Sequence, residues 1–165
     1  MNTALIEFEA SLWEWSSFRT ISGDAGFVPD SFVGLVSQGS ENDAMSYYWD
    51  IENSVFVQGR LFESAEPTMA IAIASLASKV PPHVKPVVFE VVFQIANGVV
   101  HEDALSRGNV DLVDRCRDIA RRGLVLFYSE ALKKSGEQAF DILDLIETDR
   151  RKLNLFRAHF KSPTR

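Results

Sequence analysis

Three histidines, one cysteine and an uneven spread of carboxylates are the side chains of this 165-residue sequence that could do chemistry. A zinc site needs His, Cys or carboxylate ligands spaced so that one ion can reach several of them. His83, His101 and His159 fall in unrelated segments, and none sits in a HExxH or CxxC arrangement. His101-Glu102-Asp103 has metal-capable side chains, but adjacency on a loop is weak ground for a site, so no metal is expected. Cys116 has no second cysteine to pair with and lies in a helical pattern, which reads as a small core residue in a reducing cytoplasm. Paired carboxylates can serve as acid and base in glycoside hydrolysis, yet Asp50 and Glu52 are two residues apart and face differently on a helix. The sequence contains no GxSxG elbow, no phosphate-cradling glycine loop and no dinucleotide fingerprint. The expectation is a protein with no catalytic residues, no cofactor and no enzymatic activity.

Binding chemistry is what remains. Two polar strips stand out as candidate contact surfaces. One runs from Glu41 and Asp43 through Tyr47, Asp50, Glu52, Asn53 and Gln58 to Glu63, interleaved with Tyr48 and Trp49. Rings with adjacent carboxylates suit an interface that anchors through an aromatic and selects a cation. The other is Glu90, Gln94 and Asn97, a thin polar line on an otherwise apolar helix. Against these readings, Trp49, Phe56 and Phe62 are expected in the core, while Tyr47, Asp50 and Glu63 fit a contact surface and a solvated face equally well. Trp13 and Trp15, two apart, cannot both centre one helical face, so one is expected to be partly exposed.

Charge is divided along the chain. Residues 1–106 hold 14 Asp/Glu and 4 Lys/Arg, a balance of −10, whereas residues 107–165 hold 9 and 13, a balance of +4. An acidic front half repels nucleic acid, whose binding rests on cations against phosphate, and attracts a basic protein. An ordinary solvated acidic surface is the alternative. Arg121-Arg122 and Arg150-Arg151-Lys152 read as solvated faces rather than a nucleic-acid site. No stretch approaches the roughly 20 apolar residues that span a bilayer, and the acids at Glu7 and Glu9 fall where a signal peptide would be apolar.

The elements that must carry these strips follow the helical period, with no sustained strand-type alternation. At this length and 46% apolar content, one domain over residues 1–165 is expected. Residues 3–18 form a first helix with Leu5, Phe8, Leu12, Trp15 and Phe18 near one face, and residues 20–30 form a glycine-rich loop. A short helix follows, ending near Gly39. Ser40 caps a segment that reaches Glu63, bends near Asn53-Ser54 and tolerates Gly59 through close approach of a neighbour. Helices over 67–78 and 84–96 come next, the second with Pro86 in its first turn and Asn97-Gly98 in left-handed conformation at its end. Although Val87-Val88-Phe89 has strand propensity, the helical spacing of Glu90, Gln94 and Asn97 favours a helix. After a loop over 99–108, Asn109 caps a long helix to Lys134, with Asp111–Arg115 and Asp118–Arg122 as ion pairs. Two shorter helices, 137–146 and 149–160, the latter capped by Asp149, precede a frayed tail at 161–165. About eight helices in antiparallel pairs point to an all-α, HEAT-like stack of hairpins, with a compact irregular bundle as the alternative.

From Tyr47 onward the chain resembles a family of bacterial HEAT-like proteins. The resemblance rests on Tyr48-Trp49-Asp50-Ile51-Glu52-Asn53, Val57-Gln58-Gly59-Arg60-Leu61-Phe62-Glu63 and Glu66-Pro67. It continues with Phe89-Glu90, Phe93-Gln94-Ile95, Arg117-Asp118 and Gly123-Leu124, and so covers residues 47–150. It implies stacked helical hairpins. Because some members look like immunity proteins of secreted antibacterial toxins, it also implies a cytoplasmic inhibitor whose partner is a toxin domain. Together with the acidic front half, the expected partner is a basic protein domain, with neither nucleic acid nor membrane involved. An adaptor holding two other proteins is the alternative, and a HEAT-like nucleic-acid enzyme comes third.

Overall fold

A computed structural model describes residues 3–78, 80–133 and 136–160. Among the described residues the chain forms ten α-helices and five two-residue strands. The helices are α1 (Ala4–Ser11), α2 (Val28–Val36), α3 (Glu41–Glu52), α4 (Ala65–Ala77) and α5 (Lys85–Asn97). They continue with α6 (Glu102–Ser106), α7 (Leu112–Arg121), α8 (Leu124–Ala131), α9 (Glu137–Ile146) and α10 (Arg150–Phe160). The protein is therefore mostly helical, as its periodicity requires, with two more helices than the eight expected. None of the described helices is long and apolar enough to cross a membrane.

α4 and α5 form the centre. α4 packs against α1, α2, α5 and α7, and α5 packs against α3, α4, α7 and α9. Both are apolar nearly all round, as helices covered on several sides must be. Val87, Val88, Val91, Val92 and Ile95 of α5 are buried, so its β-branched run is helical despite strand propensity. Pro86 lies in the first turn, where its missing N–H costs no intrahelical bond. Cys116 of α7 is fully buried in the same core, and burial pushes its thiol far above the ordinary range.

The structure corrects five sequence expectations. The first concerns α1, which ends at Ser11 and is followed by a 3₁₀ turn at Trp15–Ser17. Ile6 is the residue it buries, while Phe8 and Leu12 are 58% and 60% exposed and Leu5 is also exposed. The apolar stripe of α1 thus faces solvent. Trp15 enters the core from the 3₁₀ turn, its indole N–H donating to the Ala10 carbonyl at 2.8 Å, and Trp13 is partly buried.

Second, residues 20–30 are more ordered than a loop. A two-residue hairpin pairs β1 (Arg19–Thr20) with β2 (Gly23–Asp24), and α2 starts at Val28 with Pro29 in its first turn.

Third, no helix continues past Glu52. β3 (Phe56–Val57) and β4 (Arg60–Leu61) form a hairpin whose turn residues Gln58 and Gly59 both have positive φ, 52° and 73°. Two positive φ values define the tight turn whose twist matches paired strands. Gly59 therefore serves a turn rather than a helix–helix contact, and nothing lies near the position of an added Cβ.

Fourth, α5 ends at Asn97 as expected, but Gly98 is extended, with ψ at 174°. Its lack of a side chain has another cause. A Cβ there would stand 2.6 Å from Leu61 Cδ2, because β5 (Val99–Val100) runs parallel to β4 directly beside it. The loop expected over 99–108 holds this strand and α6.

Fifth, the long helix from residue 110 breaks. The N–H groups of Arg122 and Gly123 bond three residues back, to Ile119 and Ala120, which tightens the last turn of α7 and lets α8 set off anew. Asn109 caps neither helix; its side chain bonds Glu63 and Arg115. Arg115 pairs with Asp111 as expected, whereas Asp118 pairs with Arg121 instead of Arg122. The Asp149 cap on α10 is present, its carboxylate accepting from the Lys152 N–H at 2.9 Å. The expected helix end at Lys134 and the tail from Lys161 lie outside the described residues.

Candidate functional site

Ser40 fixes the start of α3. Its hydroxyl oxygen accepts from the Asp43 N–H at 3.2 Å and its hydroxyl donates to the Asp43 carboxylate at 2.7 Å. The helix is anchored through Ala44, Tyr48 and Ile51, which are buried four and three residues apart. Tyr47 leans on α2, where its ring occupies the space a side chain at Gly34 would need. With that side packed, the outward side of α3 presents Glu41, Asp43, Trp49, Asp50 and Asn53 to solvent.

Trp49 is the main surprise of this helix. Expected in the core, it is 51% exposed. Its inward neighbour Tyr48 meets it edge-on at 5.3 Å and takes the buried position, stacking in turn near Phe56. A helix of this pitch cannot bury both of two consecutive rings on one face, and Tyr48 is in register with Ala44 and Ile51. Trp49 is therefore a large ring standing between Asp50 and the side chain of Asn53, whose amide donates to the Trp49 carbonyl at 2.8 Å. Among the described residues, Glu41, Asp43 and Asp50 have no cationic partner.

The other residues of the first strip divide. Gln58 is exposed at the tip of the β3–β4 turn. Glu63 points inward, accepting from Asn109 at 3.0 Å and pairing with Arg107 at 3.6 Å. Glu52 is half-buried against α5, where the second strip begins. Glu90 accepts from Gln94 at 2.7 Å and from Gln138 of α9 at 3.0 Å, so it joins α5 to α9, while Asn97 is exposed at the helix end. The two strips meet at the Tyr48 phenol. Burial, then the Glu52 and Glu90 carboxylates, hold it protonated well above its ordinary range.

The histidines have local tasks. His83 faces the Gln38 carbonyl at 3.0 Å, and His101 stacks on Phe62 at 4.4 Å while its Nδ1 accepts from the Asp103 N–H to cap α6. Among the described residues no three of His, Cys, Asp and Glu gather as a metal site would require.

One concavity was not legible in the sequence. A cavity of about 430 Å³ opens between the start of α5, the end of α8 and the start of α9, with Lys85, Glu130 and Lys133 at its rim. The only local sign of it was the three-residue spacing of Glu130 and Lys133; Lys85 comes from 45 residues away. Compared with known protein families, curated proteins and solved structures, the chain matches none.

Proposed function

We propose that this chain is a non-enzymatic, cytoplasmic toxin-immunity protein, which binds a basic antibacterial toxin domain through the outward face of α3. The observation that carries the reading is the half-exposed Trp49 ring set among carboxylates with no cation of their own. An aromatic ring buried on contact supplies most of the energy of such an interface, and unpaired charge around it steers a partner of opposite sign and raises the encounter rate. The face is held rigid by the α2 and α5 contacts on its other sides, so little ordering is lost on binding. The packing of consecutive helices as α2–α3, α4–α5 and α8–α9 supports a HEAT-like stack of hairpins as the frame.

The test is protection. Coexpression with the protein encoded immediately upstream, as the toxin, is expected to restore growth, and the two chains are expected to copurify. No protection and no copurifying basic protein would remove the immunity role. Protection that survives reversal of Glu41, Asp43 and Asp50 together with Trp49→Ala would keep the role and move the contact to the Glu90–Gln94–Asn97 strip.

A further inference from the structure

The cavity between α5, α8 and α9 has the make-up of a small-molecule site, and it stands apart from the α3 face. Its volume, about 430 Å³, lies at the lower end of the range for such sites. Its apolar wall comes from Pro86, Phe89 and Ala139, and Phe89 is held in place edge-on by Phe127 at 5.7 Å. Its rim is cationic. Lys85 Nζ and Lys133 Nζ each donate to the same oxygen of Glu130, both at 2.7 Å. One carboxylate cannot balance two ammonium groups. Each ammonium carries three donors, so each keeps donors beyond the one given to Glu130. The lysines hold the Glu130 carboxyl below its ordinary range even against partial burial, so the trio keeps one surplus positive charge.

The backbone adds to the same sign. α5 and α9 both begin at this cavity, and neither N-terminus has a side-chain cap. Uncapped first-turn N–H groups and the positive end of the helix dipole favour an anion. The nearest further carboxylate, Glu90, is engaged by Gln94 and Gln138.

We propose that this cavity binds a small organic monocarboxylate with a flat or extended apolar body. The carboxylate takes the spare ammonium donors of Lys85 and Lys133, and the body lies against Phe89, Pro86 and Ala139. A single negative charge matches the surplus of the rim, and the cavity is too apolar to favour a polyanion.

The test uses the full chain, isotope-labelled, titrated with 4-phenylbutyrate and, separately, with the neutral 4-phenylbutan-1-ol, followed by amide chemical shifts. The carboxylate is expected to bind at least about tenfold more tightly than the alcohol, as one charge-assisted hydrogen bond supplies. The largest shifts are expected around Phe89 and Ala139. Lys133→Gln, at an exposed position that does not threaten folding, should remove most of the difference between the two probes while leaving the alcohol's affinity unchanged. Lys85→Gln should do the same. Equal affinity for acid and alcohol, no binding of either, unchanged discrimination in both lysine variants, or shifts centred on the groove between α1, α4 and α7 would each overturn the proposal.

Discussion

The Tyr128 hydroxyl donates to a Glu147 carboxylate oxygen 2.9 Å away, tying α8 to the turn between α9 and α10. Glu147 is 4% exposed and accepts two more hydrogen bonds, from Lys152 Nζ at 2.8 Å and the Asp149 N–H at 2.9 Å. Burial alone would raise its carboxyl. The three donors outweigh burial and bring it down to about 2. A carboxylate whose folded pKa is depressed stabilises the fold above its unfolded value and loses that contribution as pH falls through the folded one. Stability is therefore expected to decline between about pH 4.5 and pH 2 as Glu147 protonates. Since Lys152 is half-exposed and screened by water, the contribution is roughly 1–2 kcal/mol. Urea unfolding of the wild type and Glu147→Gln across that window measures it. The variant should be less stable at pH 7, with a shallower decline in acid.

Core positions separate by depth. Val91 is fully buried between α5 and its neighbours, so Val91→Ala should cost about 2–4 kcal/mol. Leu76, expected at the same depth, is only partly buried and should cost less. Phe8→Ser and Leu12→Ser on the exposed stripe of α1 should change stability by less than about 0.5 kcal/mol each. Chemical denaturation of the four variants orders them; a large loss at Phe8 or Leu12 would mean that the stripe is covered in the free protein.

The β3–β4–β5 corner depends on two glycines for different reasons. Gly98→Ala would drive a Cβ against the buried Leu61 side chain and the Gln94 carbonyl, and should cost roughly 1–3 kcal/mol. Gly59→Ala meets no atom, yet its φ of 73° strains any residue with a Cβ, at roughly 1 kcal/mol. Thermal unfolding of both variants should therefore show losses, the larger one at Gly98.

Legibility in the sequence followed the source of each signal. α5 was readable because thirteen residues repeat one apolar period, and the Ser40 cap of α3 because the chemistry sits within three residues. The β3–β4 hairpin was not, since Gln58 is an uncommon residue for a positive-φ turn and each strand is only two residues long. The Leu5-Phe8-Leu12 stripe misled for the opposite reason: its spacing is that of a buried face, but α1 docks on α4 through Ile6. In α3 the carboxylates of the outward face were found by composition, whereas the placement of Trp49 depended on which of two adjacent rings the α5 contact takes. Lys85, Glu130 and Lys133 come together only through the packing of α5 against α8 and α9, which no local pattern records.

Binding kinetics on the purified partner test the α3 face most directly. Association and dissociation rates would be followed for the wild type, Asp50→Lys and Trp49→Ala across a salt series. Asp50→Lys is expected to slow association at low salt, with the difference shrinking as salt rises and dissociation little changed. Trp49→Ala is expected to speed dissociation by more than about tenfold, as loss of a central aromatic anchor does. Unchanged association in Asp50→Lys together with unchanged dissociation in Trp49→Ala would contradict the assignment of this face as the contact.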